Sequence, residues 1–232
     1  SLNGKKITNI LRRGKYIIIN NEAKQTVLLH LGMSGRIKIR PIDSKKVKHD
    51  HIIIKLNSRQ EIVYNDSRRF GMIDYINSAD FNNHKWIKSL GPEPLDKVFS
   101  SNYIADSLST IKSPIKNVLL NQKFVAGLGN IYACESLFLA GISPYRIANT
   151  IKRNRSKKLA LSIKKVLNQA IDLGGCSIKD YVQASGEMGY FQQKLNVYGK
   201  YGQKCSACTC NSSIKKIKQS GRSTFFCSKI QR

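Results

Sequence analysis

The stretch from Leu119 to Pro144, LLNQKFVAGLGNIYACESLFLAGISP, constrains the fold more than any other. It reads as a short helix, a glycine-rich turn and a second helix. Val125, Gly127, Leu128 and Gly129 make a tight turn, because glycine admits the positive φ and close backbone approach that other residues resist. Asn130 falls where the second helix opens, and Ile131, Cys134, Leu137 and Phe138 recur at helical spacing, facing a core. A helix start carries unpaired N–H groups and the positive end of the dipole, which suits a phosphate. The turn itself leaves two readings open. It is a clamp on a nucleic-acid backbone with Asn130 as side-chain donor, or an αα-hairpin whose Asn caps a helix.

Charge favours the first reading. The 232 residues hold 40 Lys+Arg against 14 Asp+Glu, a net charge of +26, and an excess of that size points to a polyanionic partner. A chain of this length buries roughly 70% of its unfolded surface and needs no disulfide staples. No run of about 18 apolar residues occurs, so no membrane span is expected, and no signal peptide is visible, so none is expected. Of the six cysteines, Cys134 and Cys176 stand singly, while Cys205, Cys208, Cys210 and Cys227 crowd the C-terminal part. That clustering suits a metal site in a reducing compartment.

The order of elements is β, then α, then a small β module. Ile7–Ile10, Tyr16–Ile19, Thr26–His30, Arg36–Ile39, Ile52–Leu56, Glu61–Tyr64 and Gly71–Ile76 are short β-branched or aromatic runs between turn residues, which predicts a sandwich or barrel. Asp80–Leu90 reads as a short helix and Gly91-Pro92-Glu93-Pro94 as a rigid linker. The helical period then runs from Lys97 to Tyr181, with Ile151–Leu173 the longest helix and a basic face along it. These breaks divide the chain into a β-sandwich at 1–90, a helical domain at 91–192 and a zinc-ribbon-like β-hairpin at 193–232, an α+β architecture.

Four places in the β part carry chemistry. Lys15, in Arg12-Arg13-Gly14-Lys15, is a lysine among cations, suited to proton transfer or imine chemistry, or else part of a phosphate-facing edge. Met33, in HLGMSG, is projected by a hairpin turn, either into the core or outward as a wedge for a base stack. Arg68 and Phe70, in NDSRRFG, offer a phosphate contact and a stacking face, or a solvated turn with the ring inside. In Lys48-His49-Asp50-His51 a metal site lacks a third ligand nearby, so His49 is expected to meet a phosphate.

At the C-terminal end Cys205-x2-Cys208 is followed eighteen residues later by Cys227-x2-Ile230. The first pair and the gap match a zinc ribbon, in which four thiolates hold one tetrahedral ion. The fourth position is Ile230, which cannot ligate, and Cys210 is one residue too close to Cys208 for the usual knuckle. Three thiolates with water on Zn2+, a metal-free hairpin and an altered C-terminal tail all stay open. Arg222, beside Gly221, is expected near the hairpin tip, placed to enter a groove.

Taken together, RRGKYIII, HLGMSGRI, KHDHIII, NDSRRFGM, LGPEPL, GLGNIYACESLF, GYF, VYGK and the ribbon resemble the formamidopyrimidine-DNA glycosylase family across essentially the whole chain. HLGMSG and SRRFG favour this branch over the endonuclease VIII group. The resemblance implies a bifunctional base-excision-repair enzyme of the bacterial cytoplasm, associated with the nucleoid and monomeric. It would flip oxidised purines (8-oxoguanine and formamidopyrimidines) out of double-stranded DNA, excise them, and cut the abasic strand by β,δ-elimination. It further implies that Met33, Arg68 and Phe70 fill the void left by the base, with Arg68 pairing to the orphaned cytosine. Lys15 would serve proton transfer and Arg222 δ-elimination, while His49, Lys112 and Asn130 would contact DNA. The loop Ser185, Gly186, Glu187, Met188, Gly189 and Tyr190 would close on the everted base, and Cys205, Cys208 and Cys227 would hold a structural Zn2+. The family nucleophile is the amine of an N-terminal proline followed by a glutamate. Ser1-Leu2 do not match it, and the register places Leu2 inside the family sequence. The chain as written is therefore expected to be N-terminally truncated and to lack the imine step, which leaves a catalytically inactive damaged-DNA-binding protein as the alternative.

Overall fold

The computed structural model describes residues 2–176, 189–209 and 212–232. Seven strands come first: β1 (Ile7–Arg13), β2 (Tyr16–Asn21), β3 (Gln25–His30), β4 (Arg36–Pro41), β5 (Asp50–Lys55), β6 (Gln60–Asn65) and β7 (Met72–Asn77). They form two antiparallel sheets, in the orders β1-β2-β3-β7 and β4-β6-β5. The β-branched runs become strands because their side chains cover the inner faces: Ile18, Val27, Leu28, Leu29, Val63 and Tyr64 are all buried. Arg13 pairs with Tyr16, so Gly14 and Lys15 form a two-residue turn. Gly14 has φ of 57°, the conformation a type II′ hairpin requires at its first central residue. Lys15 thus stands exposed at a hairpin tip. The expected helix at Asp80–Leu90 is instead a 3-10 turn at Ser78–Asn83. His84 ends it in extended backbone, and its ring turns back to Asp74 at 3.1 Å.

The helices are α1 (Ser101–Leu108), α2 (Ile115–Leu120), α3 (Asn130–Ala140) and α4 (Arg153–Asp172). Ser100 caps α1 by accepting from the Tyr103 N–H at 3.1 Å. Gly141, at φ 68°, closes α3 in the left-handed conformation. Phe99, Ile104, Leu108, Ile115, Leu119, Val125, Leu128, Leu137, Leu159 and Ile163 form one core cluster. On α4 the buried positions Leu159, Ile163, Val166 and Ala170 recur every three to four residues, which leaves its lysines outward. A last hairpin, β8 (Lys215–Gln219) and β9 (Arg222–Phe226), turns at Ser220 and Gly221, both at positive φ.

Contacts divide the chain into two compact units, Ser1–Lys88 with Asp172–Gln193, and Ser89–Ile171 with Lys194–Arg232. Two of the three expected stretches are therefore redistributed. The ribbon shares a unit with the helices because Cys134 and Phe138 of α3 pack with Val197, Cys205, Ile214, Phe225 and Cys227. The segment after α4 groups with the strands, and Tyr190 and Phe191 return to the carbonyls of Leu173 and Gly175. No helix among the described residues is long and apolar enough to cross a membrane.

Candidate nucleic-acid interface

On the first unit, two loops bring Met33, Arg68 and Phe70 together. Met33 is 67% exposed and Phe70 55%, so neither belongs to the core. The Arg68 guanidinium carbon lies 4.7 Å from the centre of the Phe70 ring, and its Nη1 is 3.7 Å from the Met33 sulfur. Large apolar groups held in water need a cause, and here it is the backbone beneath them. Asp66 is fully buried and accepts from four donors: the Ser34 hydroxyl at 2.6 Å, the Tyr64 hydroxyl at 2.9 Å, the Gly71 N–H at 2.9 Å and the Arg68 N–H at 3.2 Å. Ser34 belongs to the Met33 turn, and Arg68 and Gly71 bracket Phe70. One carboxylate therefore fixes both loops. Burial alone would raise the Asp66 carboxyl, but these donors bring it down to about 2. Burial and donation to Asp66 hold the Tyr64 hydroxyl well above the usual phenol range.

His49, at φ 73°, sits between β4 and β5. It lines an open hollow of about 570 Å³ together with Lys46, Lys48, His51 and Arg69. His51 donates from Nε2 to the Asp66 carbonyl at 2.8 Å and so braces the loop, while His49 is half-buried with its ring centre 6.3 Å from that of His51. Asp50 also lines the hollow, but its carboxylate is engaged by Arg40 at 2.9 Å, which reaches Glu61 at 2.6 Å as well. A positive lining on a rigid base suits a phosphate. Of the loop expected to close on the everted base, Gly189 and the exposed Tyr190 are described, and Ser185, Gly186, Glu187 and Met188 lie outside the described residues.

On the second unit, the turn between α2 and α3 is built as its sequence reads, with Val125 and Leu128 buried and Gly127 at φ 80°. Gln122 ties it internally, accepting from the Gly127 N–H at 2.8 Å and donating to the Leu128 carbonyl at 3.1 Å. Gly129 is the cap residue of α3, and Asn130 is its first helical residue. Asn130 neither caps the helix nor presents its amide outward. Its Nδ2 donates to the Ser223 carbonyl at 2.9 Å and reaches the Tyr198 hydroxyl at 3.4 Å. Lys116, fully buried, donates to the same Ser223 carbonyl at 3.3 Å and to the Thr224 hydroxyl. Burial holds this lysine below its usual range, and Arg222 adds to the effect. The helix start and the hairpin are thereby locked together, with Arg222 exposed at the head of β9. Ile131 is half-buried rather than core, because Cys134 and Phe138 turn to the ribbon instead. Lys112 is exposed in the segment between α1 and α2.

Sequence reasoning passed over Glu135, which is buried in α3 and accepts from the N–H groups of Asn196, Val197 and Tyr198 at 2.8–2.9 Å. It holds the segment leading into the ribbon. There the sulfurs of Cys205, Cys208 and Cys227 all lie within 4.8 Å of one another, and that of Cys208 is 4.0 Å from that of Cys227. Tetrahedral zinc with Zn–S near 2.3 Å sets its thiolates roughly 3.8 Å apart, so three corners of a metal site fit. Burial opposes ionisation of Cys227, but the N–H groups of Ile230 and Lys229 and the two neighbouring sulfurs hold its thiol below the usual range. Ile230 packs against the apolar cluster and offers no ligand atom; Cys210 lies outside the described residues.

The model of the formamidopyrimidine-DNA glycosylase N-terminal domain matches residues 1–73, and that of the family's H2TH (helix–two-turns–helix) domain matches residues 90–182. The chain belongs to the formamidopyrimidine-DNA glycosylase family. Among its relatives, the formamidopyrimidine-DNA glycosylase of Acidiphilium cryptum is 45% identical over 234 residues, and that of Ruegeria sp. is 41% identical over 239. Each match spans 100% of this chain and 84% of the relative. Among solved structures, the complex of Lactococcus lactis Fpg with DNA containing an abasic site superposes with a TM-score of 0.92 at 38% identity. A MutM complex with DNA containing carbocyclic 8-oxo-G gives 0.91, also at 38% identity. Both superpositions cover 100% of this chain and 84% of the other.

Proposed function

We propose that this protein is a base-excision-repair DNA glycosylase that excises oxidised purines, 8-oxoguanine and formamidopyrimidines, from double-stranded DNA by base flipping, with an AP lyase activity that cuts the strand by β,δ-elimination. The carrying observation is the exposed Met33–Arg68–Phe70 cluster fixed by Asp66. Extruding a nucleotide leaves a gap in the stack, and flipping costs a few kcal/mol. An apolar wedge that is already rigid offsets that cost without further ordering. Met33 and Phe70 fill the gap, and Arg68, held between them, presents its fork to the orphaned base.

The other residues take roles that their positions support. His49 with its cationic hollow, the exposed Lys112 and the first backbone N–H groups of α3 contact phosphates. Asn130 contributes by holding the Ser223 carbonyl, which sets the Arg222 hairpin. Arg222 stabilises the phosphate that leaves in δ-elimination. Lys15, at its hairpin tip, moves the proton in β-elimination. Gly189 and Tyr190 belong to the loop that covers the everted base. Cys205, Cys208 and Cys227 hold a structural Zn2+, which would fix the ribbon in place of a larger core. The amine that opens the sugar is assigned to none of these groups.

Binding and chemistry are tested separately. A duplex with an abasic-site analogue should bind more tightly than the undamaged duplex at the same salt, and equal affinities would defeat the recognition reading. Borohydride trapping on an 8-oxoguanine duplex reads the covalent step, scored for this chain and for its reading frame extended upstream. Binding without an adduct from either would leave a damaged-DNA-binding protein and remove the lyase assignment.

A further inference from the structure

We propose that His30 is a positioning residue of the wedge: its neutral imidazole holds the turn that carries Met33 in register with the Phe70 backbone, and proton uptake releases it. The inference rests on the reading of Met33 and Phe70 as void fillers. His30 ends β3, and its Nδ1 accepts the N–H of Gly32 at 3.0 Å. This is the bond an Asx turn makes, a side-chain acceptor closing on the N–H two residues ahead. Gly32 lies at φ 67°, and a Cβ there would stand 2.6–2.7 Å from the Phe70 carbonyl group and the Gly71 nitrogen. The glycine therefore touches the Phe70–Gly71 backbone directly, and Met33 follows it in the chain. One ring nitrogen thus sets where the first wedge sits relative to the second.

The bond needs a lone pair on Nδ1. An imidazolium carries N–H on both nitrogens, so a donor would then face the Gly32 donor. Few nearby groups favour that charge. The Tyr16 ring lies 5.0 Å from His30, with Trp86 stacked on Tyr16 and Lys85 over Trp86. Lys15 adds a cation, and both burial and that cation disfavour protonation. Opposite His30 on β7 stands Met72. The β7 carboxylate, Asp74, pairs with Leu28 in the ladder and is engaged by His84. Across Gly71, the Tyr64 hydroxyl is bound to Asp66. The ring stays neutral at neutral pH, and the bond is lost as pH falls below the depressed titration of His30.

The test combines the Gly32 amide, followed by nitrogen-15 NMR and hydrogen exchange, with the affinity ratio of abasic-analogue to undamaged duplex between pH 8 and 5. In the unsubstituted protein, Gly32 protection should fall as His30 titrates, and the affinity ratio should fall about 5-fold, the worth of one hydrogen bond. His30→Asn restores an acceptor oxygen at the same place and should keep the ratio within about twofold, flat in pH. His30→Leu should give the low ratio at every pH. A Gly32 amide indifferent to His30, or His30→Asn behaving like His30→Leu, overturns the proposal. If Gly32 tracks His30 but no variant distinguishes the two duplexes at any pH, the positioning stands and the void-filling reading fails.

Discussion

Replacing Asp66 by Asn tests how the interface is built. Four donors converge on this buried carboxylate. Hydrogen bonds to a charged acceptor contribute ~1.5–3 kcal/mol each, but four bonds to one group do not add. The amide keeps one oxygen for two donors and turns an NH2 toward the other two. The Tyr64 hydroxyl can rotate to accept from it; the Gly71 N–H cannot. One unpaired buried donor plus the lost charge puts the cost at about 2–4 kcal/mol. Trp86 is the single tryptophan and lies in the same unit, so its fluorescence follows urea unfolding of that unit. The midpoint should drop by an amount equivalent to that cost, and the affinity ratio of abasic-analogue to undamaged duplex should collapse while undamaged binding persists. The sign with pH follows from the carboxyl at about 2. A depressed carboxylate stabilises fully above its unfolded value and loses that contribution as pH falls from about 4 toward 2, a loss Asp66→Asn should no longer show. A stability change under about 0.5 kcal/mol with discrimination intact would refute the reasoning.

Further outcomes follow from the second unit. Arg222→Ala should reduce the slope of log affinity against log salt by about 0.9, the value for one phosphate contact, with little effect on unfolding; an unchanged slope removes Arg222 from the interface. Purified protein should hold one Zn2+ per chain, and Ile230→Cys, by completing four thiolates, should slow its loss to a chelator by more than tenfold. Equal release rates from the two proteins would show that the fourth corner is already supplied by the chain.

The strands and the helix–turn–helix were legible because their signals are local: β-branched runs between turn residues, and glycines at Gly127 and Gly141 where the backbone takes positive φ. Met33, Arg68 and Phe70 were legible as candidates, but their exposure was not. A turn methionine reads equally as core or wedge until the Ser34–Asp66 bond, 32 residues apart in sequence, is seen. The setting of Asn130 was hidden for the same reason. A helix-start asparagine looks like a cap or a ligand donor, whereas its amide is taken up by Ser223, 93 residues away. Glu135 and Lys116 gave no signal, since a charged residue inside a helix pattern reads as solvent-facing until its buried partners are known. At Asp80–Leu90 a helical reading failed because His84 spends its ring on Asp74 and leaves the helical conformation.

In the proposed function, two apolar side chains and one guanidinium occupy the gap of an extruded nucleotide. A 2-aminopurine placed beside an abasic-site analogue reports this directly through its loss of stacking. Binding of the unsubstituted protein should raise its fluorescence, and Met33→Ala combined with Phe70→Ala should abolish the rise without altering the salt slope. An undiminished rise in the double variant would mean that these side chains do not enter the stack.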